Sequence, residues 1–179
     1  MPDAVVLVAT VRSLKMHGGG PEVVAGKPLA EEYQQENIEL LTKGCCNMQQ
    51  HIRNARKFGL PVVVAVNRFS SDTDAEMNVV RQMALNAGAM DAIACDHWAK
   101  GGEGAVDLAK AVVHACDSQH DFKFLYDVSL PIETKIETIA KEMYGADGIE
   151  LSDLAKSKIE TYTKQVKRRF VGGVFTVFF

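Results

Sequence analysis

Short apolar runs alternate along this chain with segments of helical periodicity, and this alternation is the feature that most restricts its fold. The runs AVVLVA at 4–9, VVVAV at 62–66 and MDAIAC at 90–95 resemble buried strands. The first two are almost continuously apolar, as expected of parallel strands that helices cover on both faces. We therefore predict three parallel strands at the centre of an α/β fold.

The segments between these runs have the spacing of amphipathic helices. Within 36–58 the apolar side chains lie three or four residues apart, on one face of a helix; they are Ile38, Leu41, Cys45, Met48, Ile52 and Ala55. Further helices are predicted at 74–87, at 103–116, after Pro131 and from an N-cap at Ser152, with one more strand at 124–128. This order implies right-handed crossovers and a three-layer α/β sandwich with a mostly parallel sheet.

Composition excludes several functional classes. The 179 residues have a net charge of −3 and a pI near 6.0, which argues against a general nucleic-acid binder. No apolar run approaches the roughly 18 residues of a membrane helix, so we expect no membrane partner. The four cysteines form no C-x-x-C pair and the histidines show no zinc spacing, which predicts reduced thiols and no metal site. Reduced thiols are typical of a cytosolic or organellar protein, so we expect an intracellular location.

Unusual polar segments follow all three strands, and in a parallel sheet these segments meet at one edge. Ligands bind at that edge in open α/β sheets. The segments are expected to be loops and contain the candidate site residues, which are Arg12, Lys15, His17, Gly18, Gly19, Asn67, Phe69, Asp72, Trp98, Lys100, Gly101 and Gly102.

The first segment combines two cations with a run of glycines. Arg12 and Lys15 suit an anionic substrate, and the glycines at 18–20 would let backbone N–H groups approach it closely. A flexible turn with solvated charges is the alternative. The HGGG run also occurs in some lipases, but the chain has no G-x-S-x-G nucleophile motif, which excludes an esterase.

The third segment contains Lys100, Gly101 and Gly102 before a predicted helix, where free N–H groups could bind an anion. It is not a Walker phosphate loop, and a simple strand-to-helix turn explains it equally well. Trp98, the only tryptophan, and Phe69 are aromatic residues in polar surroundings at the same edge. Such residues often stack on a flat ligand ring, although ordinary packing between loops is the alternative.

The three segments resemble the formate–tetrahydrofolate ligase family in order and spacing. VATVRSLKMHGGG at 8–20 is similar to the family signature V-A-T-[IV]-R-A-L-K-x-[HN]-G-G, with Ser13 in place of Ala. VVVAVNRFSSDTDAE at 62–76, HWAKGGEG at 97–104 and YGADGIELS at 144–152 are also similar to family segments. The likeness extends from about residue 3 to residue 165 and is strongest to the eukaryotic form, in which this domain is part of a larger C1-tetrahydrofolate synthase.

The resemblance implies the reaction of ATP, formate and tetrahydrofolate to 10-formyltetrahydrofolate, ADP and phosphate through formyl phosphate. It implies a fold related to P-loop NTPases, magnesium that arrives with ATP, and homo-oligomers of the parent enzyme. Phe69 and Trp98 match the aromatic pair that sandwiches the pterin ring. Arg12, Lys15 and His17 of the signature are the expected catalytic residues, and Asn67 and Asp72 match positions that commonly contact nucleotide or substrate.

Two departures from the family pattern limit this expectation. The glycine-rich phosphate segment of the family would precede Val5, and at the other end VKRRFVGGVFTVFF at 166–179 replaces the family sequence. We therefore expect a partial ligase domain at 1–165, incomplete at both ends and doubtful as an independent enzyme, with an unstructured tail at 166–179. The alternatives are a truncated isoform that binds and modulates the full-length enzyme, and a G-domain-like nucleotide switch.

Overall fold

The computed structural model describes residues 1–169, which fall into two compact units. The first unit comprises residues 1–123 and contains the whole sheet, and the second begins at residue 124. All of the predicted site residues lie in the first unit. The chain is therefore divided within the range 1–165, which the sequence predicts to be one partial domain.

Three parallel strands form the sheet in the order β1-β2-β3. Their bounds are Val5–Ala9 for β1, Val62–Asn67 for β2 and Asp91–Cys95 for β3. Because β2 lies between the other two strands, its first five residues are all buried. The three strands predicted from the apolar runs are confirmed, each within one residue of its expected ends.

One face of the sheet is covered by α3 (Ile38–Arg56) and α4 (Asp74–Asn86), which also pack against α1 (Val11–His17). A short helix, α2 (Glu31–Gln34), precedes α3. The helices predicted at 36–58 and 74–87 are thus confirmed. Their apolar stripes form the main core with alternate strand residues; its fully buried members include Leu41, Cys45, Ile52, Val62, Val64, Val80 and Ala84.

The opposite face of the sheet is covered only in part. A short helix α5 (His97–Lys100) and a 3-10 turn (Gly101–Ala105) lead into α6 (Val106–Asp117), which packs against β2 and β3. On β1, by contrast, Val6 and Val8 are 43% and 61% exposed, because no described helix lies over them. Helices therefore lie on both faces, as predicted, but the second layer does not extend over β1.

Residues 11–17 form the helix α1, although the sequence predicts a loop here. Thr10 caps this helix, because its Oγ1 accepts a hydrogen bond from the Ser13 N–H at 3.0 Å. Ser13 Oγ in turn accepts a 3.4 Å hydrogen bond from the Thr10 N–H, which completes a capping box. Val11 and Leu14, three residues apart, bury the inner face of the helix.

The second unit contains α7 (Ile132–Tyr144) and α8 (Asp153–Arg169), which pack against each other. α7 ends at Gly145 in the left-handed conformation, with φ of +68°, and Ser152 Oγ accepts a 3.3 Å hydrogen bond from the Ala155 N–H at the start of α8. Both helix-boundary predictions are confirmed.

The strand predicted at 124–128 is wrong, because the structure has bends in this segment and a turn that begins at residue 128. Asp127 Oδ1 accepts hydrogen bonds from the backbone N–H and the hydroxyl of Ser129, at 2.8 and 2.7 Å. These bonds stabilise an Asx-type turn, which competes with extended pairing.

The predicted boundary of the tail falls inside α8, which continues to Arg169. Residues 166–169 are therefore helical, where the sequence predicts an unstructured segment. The rest of the predicted tail, 170–179, lies outside the described residues.

Candidate functional site

The carboxyl ends of the three strands form one edge of the sheet, where the predicted site residues begin. Asn67, the last residue of β2, pairs in register with Cys95, the last residue of β3. The Arg68 N–H then donates to the Cys95 carbonyl at 2.9 Å, which extends the pairing one residue further. The segments that contain Phe69 and Trp98 therefore start side by side.

Phe69 lies in a short turn that Asp72 holds together. Asp72 Oδ2 accepts a 2.8 Å hydrogen bond from the Phe69 N–H, and the Asp72 carbonyl accepts one from Arg68 Nη2 at 3.3 Å. The Asp72 side chain is buried, whereas Phe69 is 36% exposed. The turn thus fixes the backbone of Phe69 and leaves part of its ring open to solvent.

Arg12 on α1 reaches the same aromatic ring. Its guanidinium carbon lies 5.1 Å from the centroid of Phe69, within the range of a cation–π interaction. The residue after β1 that the sequence predicts to contact an anion therefore contacts the aromatic residue that follows β2.

Trp98 belongs to α5 and is 87% exposed, far more than an aromatic side chain in ordinary loop packing. The short helix is held by an ion pair of 2.5 Å between Lys100 Nζ and Asp96 Oδ2. Gly101 follows with φ of +60°, a conformation that favours glycine, and the space around Gly101 and Gly102 is open. This end of the edge can admit a ligand without rearrangement of the core.

Lys15 has a different position from the one expected, because it is buried instead of facing the edge. Its Nζ lies 2.6 Å from Glu76 Oε1 and donates to the Gln35 carbonyl at 2.7 Å, and the side chains of Lys15 and Glu76 are 2% and 1% exposed. Glu76 also accepts backbone N–H bonds from Asn37 at 3.0 Å and Thr73 at 3.1 Å. Glu76 thus connects α1 with the start of α3 and the start of α4.

The two buried carboxyl groups have opposite pKa shifts. Burial alone would raise the pKa of Glu76, but the hydrogen bond from Lys15 and those from the Asn37 and Thr73 N–H groups outweigh it, so its pKa lies below the ordinary value. The pKa of Asp72 is raised, mainly by burial, against the opposing effect of its hydrogen bond from Phe69. Glu76 is therefore a stably ionised partner for Lys15.

The N–H groups of Gly18 and Gly19 close the end of α1, and Gly18 also packs against α3. The Gly18 N–H donates to the Leu14 carbonyl at 2.9 Å, and the Gly19 N–H donates to the Met16 carbonyl at 3.1 Å. A Cβ on Gly18 would overlap the Leu40 carbonyl oxygen of α3. These N–H groups are engaged within the chain, in contrast to the anion contacts expected of Gly18 and Gly19, and His17 is exposed at the end of α1.

A cleft of about 420 Å³ lies between β3 and α4, and neither Phe69 nor Trp98 lines it. Its two arginines are paired, Arg68 with Asp74 at 2.8 Å and Arg81 with Asp91 at 2.9 Å. The cleft therefore offers an anion less positive charge than its composition suggests, and the exposed aromatic residues define the candidate site better.

Within residues 1–169, no group of three or more His, Cys, Asp or Glu side chains is arranged to hold a metal ion. In that same part of the chain, none of the helices combines the length and apolar character needed to cross a membrane.

Sequence reasoning missed Glu76 and Gly44. The pattern Thr73-x-x-Glu76 is a capping-box signal, and the structure contains that box at the start of α4. It could have located Glu76, but not its pairing with Lys15, which depends on the packing of α1 against α4. A Cβ on Gly44 would overlap the Leu14 carbonyl oxygen, a close approach that no local sequence signal indicates.

Comparison with known proteins assigns the family. The model of the family described as formate–tetrahydrofolate ligase matches residues 1–171. The chain belongs to this family. The resemblance drawn from the post-strand segments is thus confirmed. The family match ends at residue 171, six residues beyond the end at 165 that the motifs indicate.

Several curated relatives of this ligase-family chain are C1-tetrahydrofolate synthases. It is 59% identical over 165 residues to the cytoplasmic C-1-tetrahydrofolate synthase of Schizosaccharomyces pombe. It is 58% identical over 165 residues to the mitochondrial monofunctional C1-tetrahydrofolate synthase of Mus musculus, and 55% identical over 164 residues to the cytoplasmic human protein. Each alignment covers 92% of this chain but only 17% or 18% of the relative.

Proposed function

We propose that this chain contributes the pteridine-binding edge of a formate–tetrahydrofolate ligase, with Phe69 and Trp98 stacking on the two faces of the pterin ring. One observation supports this most strongly: two exposed aromatic residues follow neighbouring parallel strands whose last residues, Asn67 and Cys95, are in register. Neighbouring strands lie about 4.8 Å apart, and a ring between two aromatic side chains needs roughly 7 Å, a gap that side chains of this size can span.

The proposed reaction joins formate to tetrahydrofolate in one-carbon metabolism. A formate oxygen attacks the terminal phosphorus of ATP, which releases ADP and forms formyl phosphate. The N10 amine of tetrahydrofolate then attacks the formyl carbon, the C–O bond to phosphate breaks, and the amine loses a proton. Phosphorylation is needed because formate itself has no adequate leaving group.

The substrates of this reaction contain phosphate and carboxylate groups, and the open end of the sheet edge around Gly101 and Gly102 has room for them. We propose that Lys100, Gly101 and Gly102 contact the phosphate group of formyl phosphate or a folate carboxylate, with Asn67 beside them at the end of β2. Lys15 is not proposed to contact the anion directly, because its ammonium group is already paired with Glu76. Its contribution is to fix α1 against α4.

ATP and magnesium are part of the proposal on family grounds alone. The sequence contains no G-x-x-x-x-G-K-[ST] motif, so no residue here is assigned to the ATP phosphates, and the relation to P-loop NTPases rests on the resemblance. We propose that this chain alone does not catalyse the ligase reaction. Calorimetric titration with Mg-ATP should show weak binding at most; a micromolar dissociation constant, about 8 kcal/mol, would contradict this part. We also propose an intracellular location, since relatives are named as cytoplasmic and mitochondrial.

Calorimetric titration with tetrahydrofolate tests the pteridine site. Phe69→Ala and Trp98→Ala should each raise the dissociation constant by about tenfold, or 1.4 kcal/mol. Tyr144→Ala is the matched control, because Tyr144 is also a highly exposed aromatic residue, at 79%, but lies on α7. Equal affinities for all four proteins, or no binding by the wild-type chain, would contradict the proposal.

A further inference from the structure

The contact between Arg12 and Phe69 involves one face of the aromatic ring. The guanidinium carbon lies over the ring, 5.1 Å from its centroid, and Phe69 is 36% exposed. A planar ligand that stacks on Phe69 must therefore use the face that Arg12 does not cover. Arg12 is then the third layer of a stack, separated from the ligand by the ring.

Both ends of this contact are held in place. Asp72 fixes the backbone of Phe69 through the 2.8 Å hydrogen bond from its N–H group. Arg12 is the second residue of α1, whose first turn is capped by Thr10 and whose second turn is anchored by the buried pair of Lys15 and Glu76. Because the backbones of both residues are fixed, the contact requires the ordering of only the two side chains.

The same anchor serves the turn that contains Phe69. Glu76 pairs with Lys15 on α1 and also accepts the Thr73 N–H at 3.1 Å, immediately after the turn. One buried carboxylate therefore links α1, which contains Arg12, to the residue that follows the turn containing Phe69.

We propose that Arg12 is a positioning residue, which holds the Phe69 ring from behind so that the opposite ring face meets the pteridine. This inference rests on the proposed function and assigns Arg12 a role different from direct binding of formyl phosphate or a folate carboxylate. Arg12 acts through Phe69, so its effect on affinity is the same for any ligand that contains the pterin ring. An anion-binding arginine would instead affect only ligands with an acidic group in reach.

The test compares two pteridines that differ in charge. Folic acid has two carboxylates, and 6-hydroxymethylpterin has none. Arg12→Met should weaken the binding of both ligands by the same factor, about two- to fivefold, the size of an exposed cation–π contact. Arg12→Lys, which retains a cation, should restore most of the affinity. Arg53→Met is the control, since Arg53 is an exposed arginine on the last turn of α3.

A loss confined to folic acid would identify Arg12 as a carboxylate ligand and overturn the inference, as would unchanged affinity for both ligands. Combining Arg12→Met with Phe69→Ala adds a second criterion. In the Phe69→Ala background the arginine substitution should have no further effect, and additive losses would contradict the inference.

Two further controls separate the possible failures. If Arg12→Met unfolds the chain, as its melting temperature will show, Arg12→Gln replaces it in the same comparison. If the wild-type chain binds neither pteridine, the proposed function is wrong, and this inference, which rests on it, is wrong as well. If the wild-type chain binds both and Phe69→Ala weakens both, the function stands and Arg12 alone is tested.

Discussion

Lys15 Nζ lies 2.6 Å from Glu76 Oε1, and the two side chains are only 2% and 1% exposed. This pair joins α1 to the start of α4, the helix that follows the turn containing Phe69. A buried pair tolerates the joint replacement of both partners far better than the loss of one, because a single remaining charge has no compensating partner.

Removal of one partner should therefore destabilise the fold strongly. Lys15→Met or Glu76→Leu should each lower the free energy of unfolding by about 3–5 kcal/mol, measured by urea denaturation. The double variant Lys15→Met/Glu76→Leu should lose much less than the sum of the two. Additive losses would show that the two charges do not interact.

Acid should weaken the fold through Glu76. Its pKa is lower in the folded chain than in the unfolded one, so the folded state binds the proton less tightly. The stabilisation is fully present above the unfolded pKa, which is about 4.3, and is lost as the pH falls through the folded value. Unfolding free energies measured from pH 6 to pH 3 should fall less steeply in Glu76→Gln than in the wild type. Parallel pH profiles would argue against this coupling.

Close contact between α1 and α3 requires glycine at position 44. A Cβ there would overlap the Leu14 carbonyl oxygen, so Gly44→Ala should cost about 1–3 kcal/mol or more despite the better helix propensity of alanine. Gly148→Ala is the matched control, because nothing lies within 4 Å of its added Cβ. If both variants melt at the wild-type temperature, the close approach of the helices is incorrect.

Because one face of β1 is uncovered, a Val→Thr substitution should have a smaller effect on stability in β1 than in the buried strand β2. Val8→Thr should change the unfolding free energy by about 0.5 kcal/mol or less, since Val8 is 61% exposed. Val64→Thr places a hydroxyl in the core, where Val64 is fully buried, and should cost about 1–3 kcal/mol. A comparable loss in Val8→Thr would mean that another surface covers this face in solution.

The elements that the sequence predicts well are those with a strong local signal. The run at 62–66 is apolar throughout because β2 is central and covered on both faces. The stripe of α3 has regular spacing because one helix face contacts the core. The strand prediction at 124–128 was wrong because hydrogen bonds between Asp127 and Ser129 stabilise a turn there instead of strand pairing.

The sequence predicted which segments meet at the candidate site, because parallel strands end at the same edge, but it did not predict the contacts between those segments and the helices. Parallel strands place Phe69 and Trp98 at the same edge, and the structure keeps both exposed. The burial of Lys15 was not predictable, because its partner Glu76 lies far away in the sequence and they meet only through helix packing. The contact between Arg12 and Phe69 is of the same kind, since it joins segments that follow different strands.

Trp98 fluorescence gives the most direct test of the proposed pteridine site, because Trp98 is the only tryptophan of the chain. Titration with tetrahydrofolate should quench the emission saturably, and Phe69→Ala should shift the midpoint to about tenfold higher concentration. N-acetyltryptophanamide at equal absorbance corrects for light absorbed by the ligand. Quenching that never saturates, or an identical midpoint in Phe69→Ala, would contradict the stacking of a pteridine between these two residues.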